Sequence, residues 1–276
     1  PSTAIYRTDG KFIANLAEQS PSTAANLAEM FKFRSEDDQF DIYGILYKPS
    51  DFDPGKEYPV INALYGGPGS REISARYVSR PRRECDEGYL VVKVNNRGTG
   101  GRGKAFLGAA YLKLGDVDIQ DHADAIRMLR KRSYVDGDRV GIVGHSYGGF
   151  MAAMGIFKHP DVYTAAVDRA GPTDWRNYDT IYTERYMSTP QLNPEGYKMG
   201  AAMSHVKNLK GKILIMHGMA DDNVHPNNAF QLVEAVDRAG LTYESRFWPN
   251  GGHGLGRGVD VTQGEFFKRT LRPESH

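Results

Sequence analysis

From Phe31 onward, extended apolar runs alternate with stretches of helical period. Residues 41–47, 59–65 and 89–95 read as the first strands, and the last two are almost continuously apolar, the pattern of strands covered on both faces. Between Asp116 and Arg130, the residues Ile119, Ala123, Ile126 and Leu129 recur at helical spacing, with Asp116 placed to cap. Residues 139–143, 163–167, 212–216 and 243–247 predict further strands, and 150–158 a helix that stops before Pro160. Strands alternating with helices predict an α/β fold: a mostly parallel central sheet with helices on both faces. The length of 276 residues suits one large core.

Residues 1–30 break this rhythm, being rich in Ser, Thr, Ala and Asn, while residues 6–11 read as a strand followed by a turn at Asp9-Gly10. The expectation is a hairpin outside a catalytic domain of residues 31–276. Composition narrows the picture mainly by exclusion. Lys and Arg number 35 against 34 Asp and Glu, a net charge of +1, which supplies no general field for nucleic acid or an anionic membrane. The single cysteine, Cys85, cannot close an internal disulfide and leaves the compartment unassigned. No run approaches the roughly 18 apolar residues of a membrane span, and no basic-then-apolar leader is visible, so a soluble chain is expected.

The chemistry concentrates at Gly144-His145-Ser146-Tyr147-Gly148, between a predicted strand and a predicted helix. This is the strand-turn-helix setting of a nucleophile elbow and predicts an α/β-hydrolase fold. Flanking glycines relieve crowding around a strained serine, and the amide of Tyr147 at the helix start can stabilise an oxyanion. A serine hydroxyl needs a base and an acid that orients the base, in the order Ser, Asp, His for this fold. The strand at 212–216 runs into His217-Gly218-Met219-Ala220-Asp221-Asp222-Asn223-Val224-His225, where either aspartate could serve. The strand at 243–247 runs into Gly251-Gly252-His253-Gly254, which makes His253 the base. His217, Asp221 and His225 lack an established metal-ligand spacing, and no metal or other cofactor is expected.

With these residues in place, the chain resembles the prolyl oligopeptidase family of serine peptidases over roughly residues 30–270, its dipeptidyl peptidase IV-like branch most of all. The acid loop is similar to the family's loop in which the first aspartate belongs to the triad, which selects Asp221. Ala63-Leu64-Tyr65-Gly66-Gly67-Pro68-Gly69 resembles the segment whose tyrosine supplies a second oxyanion donor, a role the resemblance assigns to Tyr65. The stretch from Asp174 to Tyr186 resembles the branch's specificity pocket. There Trp175, Tyr178 and Tyr182, with Tyr147 and Val224, would surround a proline side chain, and Asn223 would bond a substrate carbonyl. Asn95-Asn96-Arg97-Gly98-Thr99-Gly100-Gly101-Arg102-Gly103 is similar to the family's glycine-rich loop, read as structural because it lacks a P-loop lysine.

There are two departures. The family places a β-propeller before this domain, of which residues 1–30 would be a remnant, and no glutamate pair for a substrate amine is assignable. His145 stands where the branch has tryptophan. The expectation is peptide hydrolysis after proline or a small residue. A carboxylesterase acting on small esters, and an inactive binding member, are the alternatives. A peptide or small ester is the expected partner, and a homo-oligomer remains open beside a monomer.

Overall fold

The computed structural model describes residues 2–18, 28–73 and 82–271. Strands β1 (Ser2–Tyr6) and β2 (Phe12–Glu18) form an antiparallel hairpin in a sheet of their own. The Asp9-Gly10 turn is where the sequence placed it: Gly10 takes φ +85° and the Asp9 carboxylate accepts the Lys11 amide at 3.0 Å.

In chain order there follow β3 (Ala28–Arg34), β4 (Asp41–Tyr47), β5 (Tyr58–Leu64), α1 (Arg82–Asp86), β6 (Leu90–Asn95), α2 (Lys104–Gly108), α3 (Val117–Leu129) and β7 (Val135–His145). Then come α4 (Tyr147–Lys158), β8 (Ala165–Arg169), α5 (Thr180–Met187), α6 (Pro194–Met199), β9 (Lys212–Gly218), α7 (Asn227–Arg238), β10 (Glu244–Trp248) and α8 (Val259–Leu271). The main sheet runs β10-β9-β8-β7-β5-β6-β4-β3. Its pairs are parallel from β10 through β6, and antiparallel at β6–β4 and β4–β3. This is the α/β-hydrolase architecture. Its edge strand begins at Ala28, a little before the expected domain start, in full register with β4.

The sheet order has a chemical consequence. The chain passes from β5 out to β6 and returns to β7 on the other side of β5, so the carboxyl ends of β5 and β7 diverge at a switch point, where open α/β sheets hold their ligands. Tyr65 follows β5 there, and Ser146 follows β7. Helix α4 is buried from Tyr147 through Phe157, apolar all round as a central helix must be. A second apolar cluster, including Phe266, Phe267 and Leu271 of α8, covers other strand residues such as Ile61, Val143 and Val167.

Local details differ from expectation. The helix expected from Phe150 begins at Tyr147, because Ser146 itself makes the turn. Asp116 occupies the N-cap position of α3 without a capping bond, since its carboxylate pairs with Lys158 at 3.2 Å. Helix α7, with Ala229, Leu232 and Val236 on its buried face, carries a helical pattern that the strand-centred reading passed over.

Candidate active site

Ser146 joins β7 to α4 at φ +60° and ψ −122°. The strain is held from several sides: the Ser146 amide donates to Arg169 O at 2.8 Å, and Ser146 O accepts the amides of Gly149 and Phe150. Gly144 and Gly148 are required by the closeness of β5, because a Cβ on either would lie 2.4 or 2.3 Å from Leu64 O. Tyr147, the first helical residue, has no preceding turn to receive its N–H.

Two loops beyond β9 and β10 are laced together, with the Met219 amide donating to Trp248 O and the Ala220 amide to Gly251 O, both at 2.8 Å. This brings His253 to Asp221. Its Nδ1 is 2.9 Å from Asp221 Oδ2, and its Nε2 is 3.0 Å from Ser146 Oγ. A carboxylate opposite Nδ1 places the ring proton there and leaves the Nε2 lone pair facing the serine hydroxyl. Asp221 is buried, and its Oδ1 accepts the amides of Asn223 at 3.0 Å and Val224 at 2.9 Å. Asp222 is exposed.

The rival histidines have other work. His217, 1% exposed, lies 2.8 Å from Val224 O through Nε2, and the same nitrogen is 3.3 Å from Asp221 Oδ2. Burial lowers its pKa, so a neutral ring donates a shared N–H that braces the carboxylate. His225 is exposed, and its Nδ1 accepts the Asn227 amide at 3.2 Å at the start of α7. Among the described residues no three His, Cys, Asp or Glu side chains are grouped to hold a metal. His145 packs on His253 with ring centroids 4.7 Å apart, and burial, then the neighbouring His253, lower its pKa to about 4.

On the other side of Ser146, the residues Tyr65, Tyr147, Pro172, Trp175, Tyr178 and Tyr182 line a small cavity that includes the serine. Two caps arrange the walls. Asp174 accepts the Arg176 amide and turns Trp175 inward, and Asp179 accepts the Tyr182 amide and starts α5. Trp175 stacks on Tyr182 at 6.0 Å and 21°, and meets Phe150 edge-on at 4.9 Å. Burial raises the phenol pKa values of Tyr65, Tyr178 and Tyr182, so each stays a donor. The Tyr178 hydroxyl donates to Asn223 Oδ1 at 2.8 Å, a bond that leaves out the Asn223 side-chain NH2.

Val224 departs from expectation. It is fully buried and is not among the described residues lining the cavity, and its main-chain N–H and C=O are bonded to Asp221 and His217. Sequence reasoning also passed over Pro172 and Asp118. The buried Asp118 carboxylate accepts the Tyr147 hydroxyl at 2.6 Å together with the amides of Gly115 and Ile119. An acid beside Ile119, on the buried face of the predicted helix, was the available signal.

A model of the prolyl oligopeptidase family matches residues 77–271. Human dipeptidyl peptidase 8 is 37% identical over 235 residues, covering 82% of this chain and 26% of the relative. Dipeptidyl peptidase 4 of Trichophyton equinum is 38% identical over 228 residues, covering 78% of this chain and 29% of the relative. The crystal structure of Porphyromonas gingivalis dipeptidyl peptidase 4 superposes with a TM-score of 0.87 at 31% identity, covering 98% of this chain and 40% of that one. The chain thus spans between about a quarter and two fifths of these relatives' lengths. With a serine elbow at the sheet's switch point and a family match spanning most of the domain, the chain belongs to the prolyl oligopeptidase family of serine peptidases.

Proposed function

We propose that this chain cleaves peptide bonds after proline or a small residue through an acyl-enzyme on Ser146. One observation carries the reading: His253 bridges Ser146 Oγ at 3.0 Å and Asp221 at 2.9 Å. In the first step Ser146 Oγ attacks the scissile carbonyl carbon while His253 Nε2 takes the hydroxyl proton. The imidazolium so formed is stabilised by Asp221 and returns the proton to the leaving amine as the C–N bond breaks. Water then repeats the sequence on the ester and frees Ser146. The carbonyl oxygen carries negative charge in both tetrahedral states, and the Tyr147 amide with the Tyr65 phenol would receive it.

The cavity supports the choice of side chain. Its walls are the aromatic side chains of Tyr65, Tyr147, Trp175, Tyr178 and Tyr182, which suit a compact apolar ring. Dipeptidyl peptidases among the relatives agree with a site of this kind. The test compares a short p-nitrophenyl ester with Gly-Pro p-nitroanilide, using the wild type and Ser146→Ala. Serine-dependent anilide cleavage, lost by a factor of about 10⁴ or more in the variant, is expected. Ester cleavage without anilide cleavage would favour an acyl-hydrolase, and turnover persisting in Ser146→Ala would remove Ser146 from the reaction.

A further inference from the structure

Behind Tyr65, three elements contribute a string of buried polar side chains: Asn62 of β5, His122 of α3, and Asn96 just past β6, each 0% exposed. Asn96 has its orientation imposed by the backbone. Its Nδ2 donates to Gly66 O at 3.1 Å and to Arg97 O at 2.7 Å, and the reversed amide would set oxygen against two carbonyl oxygens. Asn96 Oδ1 is therefore an acceptor, and His122 Nε2 lies 3.2 Å from it. That nitrogen carries the ring proton. At the far end His122 Nδ1 is 3.1 Å from Asn62 Oδ1, which is also 3.0 Å from the Tyr163 hydroxyl, and a single carbonyl, Val92 O at 3.2 Å, receives the Asn62 amide. Burial pushes the His122 pKa down to about 3, so the ring is neutral and holds one proton. Because the Tyr163 hydroxyl can donate or accept, Asn62 can turn its amide toward the bare Nδ1 at the cost of one carbonyl contact, whereas Asn96 cannot turn without losing two; the determined link is therefore His122 to Asn96.

The determined end of this string meets the segment that carries Tyr65. Gly66 is the next residue, at φ +74°, and a Cβ there would lie 3.1 Å from Asn96 Oδ1 and 3.7 Å from His122 Nε2. The glycine-rich loop continues the contact: Gly69 N–H donates to Gly98 O at 3.0 Å, and Gly100 N–H donates to Ser70 O at 2.8 Å. Tyr65 is itself 38% exposed, with its amide held by Glu72 at 3.1 Å and its ring 6.0 Å from that of Tyr147. The phenol is therefore placed by its backbone, held at Glu72 on one side and at Asn96 on the other.

We infer that His122 is a positioning residue for Tyr65: by donating to Asn96 it holds the amide that fixes the Gly66 carbonyl, and with it the direction in which the Tyr65 hydroxyl points. The inference rests on the reading of Tyr65 as an oxyanion donor. It gives the glycine-rich loop a purpose, as the template on which the loop after β5 is laid.

The test is a double-mutant cycle on Gly-Pro p-nitroanilide with Tyr65→Phe, His122→Leu and the pair, together with His122→Gln and the melting temperature of each. Tyr65→Phe is expected to lower kcat about 100-fold. His122→Leu should lower kcat by roughly tenfold with KM within about threefold, and by less than about twofold when Tyr65 is already Phe, as expected of coupled residues. His122→Gln, whose amide can still donate to Asn96, should recover most of the loss. A His122→Leu loss of equal size in both backgrounds, or a folded His122→Leu with unchanged kcat, overturns the positioning role. An unchanged kcat in Tyr65→Phe overturns the reading of Tyr65 itself, a separate result. Should His122→Leu fail to fold, Asn96→Ala cuts the same link and must reproduce the coupled loss in kcat.

Discussion

The two sides of Ser146 are held by different forces. Toward His253, polar atoms are matched: Asp221 Oδ1 takes two backbone amides, and Oδ2 faces His253 at 2.9 Å and His217 at 3.3 Å. Toward Trp175, the walls are rings at 4.9 to 6.0 Å from one another, and a hydrogen bond from Tyr178 to Asn223 closes the rim. Matched hydrogen bonds fail abruptly, because a wrong donor leaves a buried group orphaned or a tautomer reversed. Ring packing degrades by increments, since each contact contributes a little and neighbours adjust. Large losses are therefore expected on the first side and graded ones on the second.

The sharpest way to break this comparison is Asp221→Asn. The amide can keep the Asn223 and Val224 bonds, so the loop should hold, but it no longer fixes the His253 proton on Nδ1. A loss of about 10⁴-fold in kcat/KM is expected, with little change in melting temperature. A loss under tenfold, measured by steady-state kinetics on a folded variant, would mean the carboxylate does not orient the base. Tyr178→Phe probes the other side. Removing one hydroxyl from the Asn223 bond should raise KM by about threefold to tenfold and leave kcat nearly unchanged. A large fall in kcat would show that the rim takes part in the chemical step.

Asp168, on β8 between β7 and β9, sharpens the contrast. It is 2% exposed, accepts the Gly171 amide at 2.8 Å, and burial raises its pKa from the ordinary 3.8 to about 7. A carboxyl that keeps its proton longer in the folded state lends stability below about pH 4 that is lost as pH rises toward 7. Asp168→Asn cannot ionise and should escape that loss. Its melting temperature relative to wild type is expected to climb between pH 4 and pH 8, by about 2–4 °C for each kcal/mol relieved. A difference independent of pH would place the ionisation elsewhere.

Much of this was legible along the chain. β4 begins and ends where its apolar run does, the glycine-flanked serine sits between strand and helix, and the loops after β9 and β10 bring Asp221 and His253 together. Such signals are local: periodicity records which face is buried, and glycines record where the backbone turns or is approached. Pairing between distant polar groups is not local. Residues alone left Asp221 and Asp222 equivalent. The structure separates them by burial and by His253, 32 positions away. Asp116 had the capping position, yet Asp118 is the acid that matters near the site, because Tyr147 arrives beside it from 29 positions away. His122 gave no signal beyond a place among helical residues. The sequence by itself determined the strands from β4 to β10, the two helices with the plainest patterns, and the chemistry available at the ends of the strands. Only the tertiary structure decided which polar atoms meet, because β5 lying between β6 and β7 brings Gly66, Asn96 and His122 together, and no period in the chain encodes that order.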